Sequence, residues 1–394
     1  MKKKGLHRTL FAQFPLLVFT LCVLCGLCVK TNAQTFKQLH PGVEYAQVEH
    51  KLGSDPVKIN LLRLDLTKVR LDVQLGMDAV VGLEKTSSIA ARHGGVAAIN
   101  SGFFRLDTSI FAGEPAGILA VDGVLLSESL NDRVALWIEN QRDSSVVEIG
   151  RFKSTSILRT QAGASVEING INRERKDNEV VIYTSHFGRS TLTDLTGKEF
   201  IVLGTVGHSS GRLVEARAGS SLLTGGQFIV STSGNASQKV MDAAVKNRFG
   251  SWFIETRLDQ VGTKSWGSPG TETDLVAGVP QLIKNGKIDI TWEQEKASRA
   301  FAETRHPRTA VAKLKDGKFL MMTADGRQPG VSVGMSLQEL AEYLFSLGAV
   351  DAMNLDGGGS TTMFLDDKVV NTPSDKEGER KIGDAIVVTL RKKK

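Results

Sequence analysis

Asn354 and Asp356 stand two residues apart at the end of an apolar run, Val350-Asp351-Ala352-Met353-Asn354-Leu355, and are followed at once by Gly357-Gly358-Gly359-Ser360-Thr361-Thr362. If the run is a strand, this spacing sends both polar side chains to one face. Successive glycines let backbone N–H groups turn toward an anion without obstruction by Cβ, and Ser360, Thr361 and Thr362 add hydroxyl donors. The spaced glycines and lysine of a nucleotide phosphate loop are missing. A purely structural turn between strands is the competing reading of the same residues.

A second candidate lies between Arg308 and Asp325. Thr309 to Leu314 and Lys318 to Thr323 read as strands, and Asp316-Gly317 is a two-residue turn signal. In that register Lys315 opposes Lys318 and Arg308 falls opposite Asp325, whereas a bulged loop would shift the pairing by one. Opposed Arg and Asp side chains can form a charge-assisted pair, either in a site or simply as an ion pair that closes the hairpin. Asn100-Ser101-Gly102-Phe103-Phe104 offers a polar residue and a glycine again, now with two rings that suit either core packing or a sugar face.

Helix–strand units must position these residues. Thr86 to His93 reads as a helix closed by Gly94-Gly95, feeding the run Val96-Ala97-Ala98-Ile99 that ends in Asn100. Ser336, with Glu339 three residues on, forms a capping box, and Leu337, Leu340, Ala341, Leu344 and Leu347 make one apolar helical face that Gly348 ends. That helix feeds the run ending in Asn354. Two such units suggest an α+β (mixed α/β) fold, β-rich with few helices, its site at the carboxyl ends of the strands that follow the helices. Val57 to Leu64 and Val69 to Leu75 read as strands of an N-terminal β-rich segment, 34–82. Residues 83–130 and 255–394 then form the catalytic domain. Residues 131–254, with strands such as Val134 to Ile138, Glu179 to Tyr183 and Phe200 to Leu203, read as a β-rich insertion.

Composition narrows the chemistry. Lys2, Lys3, Lys4 and Arg8 precede an apolar run from Leu10 to Val29, with Thr31-Asn32-Ala33 as a small-residue cleavage site, so residues 1–33 read as an export signal and the protein as periplasmic or extracellular. An uncleaved membrane anchor is the alternative. Cys22, Cys25 and Cys28 all lie in that run, which leaves the remainder without disulfides, thiolate nucleophiles or cysteine-bound metal. Removing the five Lys and Arg of residues 1–33 leaves 44 basic against 43 acidic residues. Nucleic acid is therefore not an expected partner, and no stable membrane insertion is expected once the signal is cleaved. Arg391 to Lys394 read as a solvated basic tail.

Taken in order, Asn100-Ser101-Gly102-Phe103-Phe104, Gly278-Val279-Pro280-Gln281-Leu282-Ile283-Lys284-Asn285-Gly286, Arg308-Thr309-Ala310-Val311, Ala324-Asp325-Gly326, Gly334-Met335-Ser336-Leu337, Asn354 through Ser360 and Pro373-Ser374-Asp375 resemble the phosphodiester glycosidases, the family of the animal uncovering enzyme. The stretch from Asn172-Arg173 to Tyr183 looks like the bacterial members, and the animal enzyme's cysteine-rich extension and membrane tail have no counterpart.

The resemblance implies hydrolysis of the C–O bond between an anomeric carbon and a phosphate, as in a diester of GlcNAc-α-1-phosphate, with sugar and phosphomonoester as products. It also implies a sugar-phosphodiester or phosphoglycan substrate; no cofactor or catalytic metal is expected. A phosphomonoester is a good leaving group, so phosphate donors and one carboxylate matter more than a strong acid. Asp356 is the first choice for general base or nucleophile and Asp325 the second; Arg308 is the expected phosphate clamp, with Asp325 orienting it. Asn100 and Asn354 are expected to hold sugar hydroxyls or an N-acetyl group. Gly102, Phe103, Gly357, Gly358, Gly359, Ser360, Thr361 and Arg380 are expected to complete the substrate site. His306 lies beside the arginine but has no counterpart in the animal motif and is not included. The rival readings are a metal-dependent phosphodiesterase, disfavoured by the lack of clustered His/Asp motifs, and a non-catalytic exported carbohydrate- or phosphoglycan-binding protein.

Overall fold

Short runs of Val, Ile and Leu, broken every few residues by glycine, asparagine and aspartate, can bury their apolar faces only by pairing with one another. The computed structural model, which describes residues 34–204, 211–248, 250–262, 265–267 and 269–392, shows that they do so almost everywhere. The export segment 1–33 lies outside the described residues. Three large antiparallel sheets result. One has eight strands, in the order Lys37–His40, Val43–Leu52, Asp55–Leu64, Phe319–Ala324, Arg308–Leu314, Ala349–Asn354, Gln281–Lys284 and Lys287–Ile288. A five-stranded sheet orders Lys368–Val369, Met363–Leu365, Ala97–Asn100, Asp384–Leu390 and Val69–Leu75. The third has thirteen strands, drawn from between Leu119 and Ala277.

The mixed α/β fold expected from the helix–strand units is therefore corrected to a β-dominated one. The helices Thr86–Arg92 and Leu337–Ser346 exist, the second with its full capping box. The strands they feed, however, do not lie side by side in a parallel sheet. Ala97–Asn100 pairs antiparallel with Met363–Leu365 and Asp384–Leu390, whereas Ala349–Asn354 pairs antiparallel with Gln281–Lys284 and Arg308–Leu314 in a different sheet. Among the described residues the one parallel pairing is two residues long. A helix before a strand fixes only local order. Its neighbours are chosen by which distant apolar faces it can bury.

All three sheets contribute to one core. Leu71, Ile99 and Ile386 from the five-stranded sheet meet Val311 and Met353 from the eight-stranded sheet and Leu136 and Ile138 from the third. Fully burying each such side chain is worth roughly 1.5–3 kcal/mol, enough to hold loops at the sheet junctions firmly. Strands of residues 34–82 belong to this frame: Asp55–Leu64 borders Phe319–Ala324, and Val69–Leu75 borders Asp384–Leu390. Arg391, expected in a solvated tail, is anchored instead: it donates to the Val69 carbonyl at 3.0 Å and the Ser145 hydroxyl at 2.9 Å, while residues 393–394 of that tail lie outside the described residues. Among the described residues no helix is long and apolar enough to cross a membrane.

Candidate functional site

The glycine turn sits where the five- and eight-stranded sheets meet, and Asn100 ties them together. Its Oδ1 accepts from the Thr309 hydroxyl at 2.8 Å and the Thr362 N–H at 3.0 Å, while its Nδ2 donates to the Asp356 carbonyl at 2.7 Å. Its oxygen is fully used by protein partners and the residue is buried, so it builds the Asp356 turn. Asn354 is similar. Its Nδ2 donates to the carbonyls of Val279 at 2.6 Å and Leu355 at 2.8 Å, leaving only its Oδ1 without a partner.

Asp356 itself is held from both sides. Its N–H donates to the Ser101 carbonyl at 2.9 Å, and its Oδ1 accepts from the Gly357 N–H at 2.9 Å. Desolvation pushes its carboxyl up to about 6, with the charge of Asp384 adding to the rise and Ser360, the Gly357 N–H and Arg380 opposing it. The side chain is half-buried, so it combines a raised proton affinity with access from outside. In the segments that flank it the hydroxyls of Ser101, Ser360, Thr361 and Thr362 are buried; that of Ser360 acts on the Asp356 carboxylate and that of Ser101 on the Asp384 carboxylate, while those of Thr361 and Thr362 have no partner among the described residues. Buried hydroxyls without partners are uncommon enough in native proteins to need a reason. Ser360 and the Gly357 N–H supply donors directly to Asp356.

Cationic groups flank the same turn. Arg380 grips Asp375 through two hydrogen bonds, Nε to Oδ2 at 2.7 Å and Nη2 to Oδ1 at 3.0 Å, directly over Gly359. Gly358 has φ +63, and a Cβ there would stand 2.9 Å from Nη2 of Arg327, an exposed arginine that also reaches the Ser374 hydroxyl at 3.4 Å. The glycines therefore allow two guanidinium groups to lie against backbone. This close approach explains their run better than turn geometry alone.

Arg308 and Asp325 do not meet. The hairpin closes with a three-residue loop, Lys315-Asp316-Gly317, in which Gly317 has φ +82 and donates to the Leu314 carbonyl at 3.0 Å. Arg308 consequently pairs with Ala324, one residue away from the expected register, and alternation turns Asp325 to other neighbours. The Arg308 guanidinium lies over the Phe301 ring, 4.9 Å from its centroid, and donates to the carbonyls of Met335 at 2.8 Å, Phe301 at 2.8 Å and Thr304 at 3.0 Å. Only Nη1 is left without a protein acceptor among the described residues. Burial and the nearby Arg327 lower its pKa to about 10, so it remains cationic at neutral pH. Asp325 instead accepts from the Asn371 amide and the Thr372 N–H, both at 3.1 Å, and Asn371 donates in turn to the Thr361 carbonyl at 3.0 Å. Its link to the site runs through Asn371.

Phe103 and Phe301 pack edge to face, 6.0 Å between centroids, so Phe103 joins the arginine wall. Gly102 rests against Asp384, a buried carboxylate that accepts its N–H at 2.7 Å. Asp384, Arg327 and Asn371 were not singled out from the sequence, and Asp375 was quoted only as part of a motif. Gly383-Asp384 opens a strand and carries no local signal beyond an acid before an apolar run. Arg327, directly after Asp325-Gly326, was the residue most open to detection. The described surface also has a cleft of about 530 Å³ near helix Gly234–Lys246, lined by Glu167, Lys239, Asp242 and Lys246 and by none of the site residues.

Comparison with known proteins places these residues in context. The sequence model of the phosphodiester glycosidase family matches residues 196–389, and thus opens inside the stretch read as an insertion. The chain is 37% identical over 111 residues to mouse N-acetylglucosamine-1-phosphodiester alpha-N-acetylglucosaminidase, a match covering 26% of this chain and 21% of that protein. It thus spans about a fifth of the length of the curated relatives it matches. Two solved structures share the fold. One, of an exported-protein candidate from Burkholderia pseudomallei, has a TM-score of 0.72 at 23% identity and covers 85% of this chain and 74% of that one. The other, of a protein from Synechocystis, has a TM-score of 0.73 at 21% identity and covers 91% and 64%.

Proposed function

We propose, from the match of residues 196–389 to the sequence model of the phosphodiester glycosidases, that this chain hydrolyses the glycosidic C–O bond of a sugar-1-phosphodiester, such as a diester of GlcNAc-α-1-phosphate. The observation that carries this reading is one half-buried carboxylate, Asp356, with its pKa raised to about 6, set in a turn bordered by Arg380, Arg327 and the buried hydroxyls of Ser360 and Thr361. The phosphate lies along the Gly357–Ser360 turn, where Ser360 and Thr361 donate hydrogen bonds and the arginines offset its charge. Phe103 flanks the sugar. Asp356 is ionised above its raised pKa and faces the anomeric carbon. As general base it takes a proton from water while the water oxygen bonds to carbon and the C–O electron pair leaves on the phosphate; as nucleophile it bonds the carbon first. Inversion or retention of the anomer tells the two apart.

The protein is proposed to act outside the cytoplasm after cleavage near Gln34, on the strength of its basic start, apolar run and small-residue site. Sequencing the N-terminus of secreted or periplasmic material tests this, and recovery of the intact chain from membranes would refute it. For the chemistry, hydrolysis in ¹⁸O water is decisive. Label in the sugar is expected. Label in the phosphate would mean P–O cleavage, and no turnover of any sugar-1-phosphodiester would favour a binding protein.

A further inference from the structure

Asp384 is 2% exposed, and among the described residues no lysine, arginine or histidine pairs with it. Its Oδ1 accepts the Gly102 N–H at 2.7 Å, and a Cβ on Gly102 would stand 3.1 and 3.2 Å from its two oxygens, so the carboxylate rests against the glycine Cα. Its carbonyl accepts the Ser101 N–H at 3.1 Å, and the Ser101 carbonyl accepts the Asp356 N–H at 2.9 Å. Ser101-Gly102 is thus clasped between two aspartates. A neutral Asn or Ser could accept the Gly102 N–H without the cost of burying an unpaired charge. A carboxylate at this position therefore calls for a use of its charge.

We propose that Asp384 is a positioning residue of this site: its buried carboxylate fixes Ser101-Gly102 against the Asp356 turn and sets a second negative charge near Asp356. The inference rests on the reading of Asp356 as the reacting carboxylate. Both carboxyls lie at about 6, raised first by desolvation. The charged groups that act on Asp356 are Arg380, itself paired with Asp375, and Asp384, while Ser101 and the Gly102 N–H act on Asp384. Replacing Asp384 with Asn keeps an acceptor for the Gly102 N–H and removes the charge. Asp356 then loses its proton more readily, and the acid limb of the rate profile, which reports ionised Asp356, moves down.

The test combines ¹³C NMR of aspartate carboxyls with pH–rate profiles of kcat/KM. The Asp356 resonance is assigned by its loss in Asp356→Asn, and Asp384→Ser is prepared in case Asp384→Asn fails to fold. In a folded Asp384 variant the Asp356 midpoint is expected to fall by roughly half a unit or more, with the acid limb following it. An unchanged midpoint with reduced stability or rate would mean that Asp384 only braces the loop, and would overturn the inference. A shifted midpoint in a protein that hydrolyses no sugar-1-phosphodiester would uphold the coupling while refuting the proposed function.

Discussion

The Arg380 guanidinium meets the Asp375 carboxylate through two hydrogen bonds, at 2.7 and 3.0 Å, across the α-carbon of Gly359. A Cβ at position 359 would collide with both partners. Gly359→Ala should therefore push the pair off the turn and raise KM for a sugar-1-phosphodiester. Its stability cost should be about 1–3 kcal/mol, the usual range for overpacking. Kinetics and thermal melting of the purified variant check both. An alanine variant with unchanged KM would show that this ion pair does not border the substrate.

Asp356→Asn keeps shape and hydrogen bonding and removes the charge. Turnover is expected to fall on the order of 10²-fold or more, the range for loss of a general base. Substrate binding, measured by calorimetry, should persist. In the wild type the rate should rise with pH through about 6, because only the ionised carboxylate reacts. Near-normal turnover in the asparagine variant would remove Asp356 from the mechanism.

Arg308→Lys separates anchoring from phosphate contact. Three carbonyls and the Phe301 ring hold the guanidinium, and an ammonium cannot satisfy that set. The variant should lose about 1–3 kcal/mol of stability, because buried carbonyls are left without donors. If Nη1 also touches phosphate, kcat/KM falls as well. A lower Tm with unchanged kinetics would assign Arg308 to structure alone.

Asp274 supplies a pH dependence away from the site. It accepts the N–H groups of Val73 and Asp122, each at 2.8 Å, yet burial pushes its pKa up to about 7. In the unfolded chain the carboxyl titrates near the ordinary aspartate value of 3.8. Between these values the folded protein binds more protons than the unfolded chain, so stability falls as pH rises from about 4 to about 7. The carboxyls of Asp356 and Asp384 act in the same direction up to about 6. Thermal melts across that range should show the decline, and Asp274→Asn should flatten its upper part.

Local sequence determined what local physics controls. The capping box at Ser336 and Glu339, the strands Val57 to Leu64 and Val69 to Leu75, and the turn following Asp356 all appear where residue type and spacing put them. The Asp356 turn and the Phe103 segment were legible because glycines, hydroxyls and a carboxylate are contiguous in the chain. What needed the tertiary structure was every relation between distant segments. Gly317 set the hairpin loop at three residues and so parted Arg308 from Asp325, a one-residue choice to which an Asp-Gly signal is blind. Asn100 became a scaffold because Thr309, Thr362 and Asp356 converge on it from three elements. Asp384 joined the site because antiparallel pairing sets Ala385 opposite Asn100 and thereby brings the start of its strand to Ser101-Gly102. Strand partners are selected by the total apolar surface they bury. That sum runs over the whole chain, and no single motif contains it.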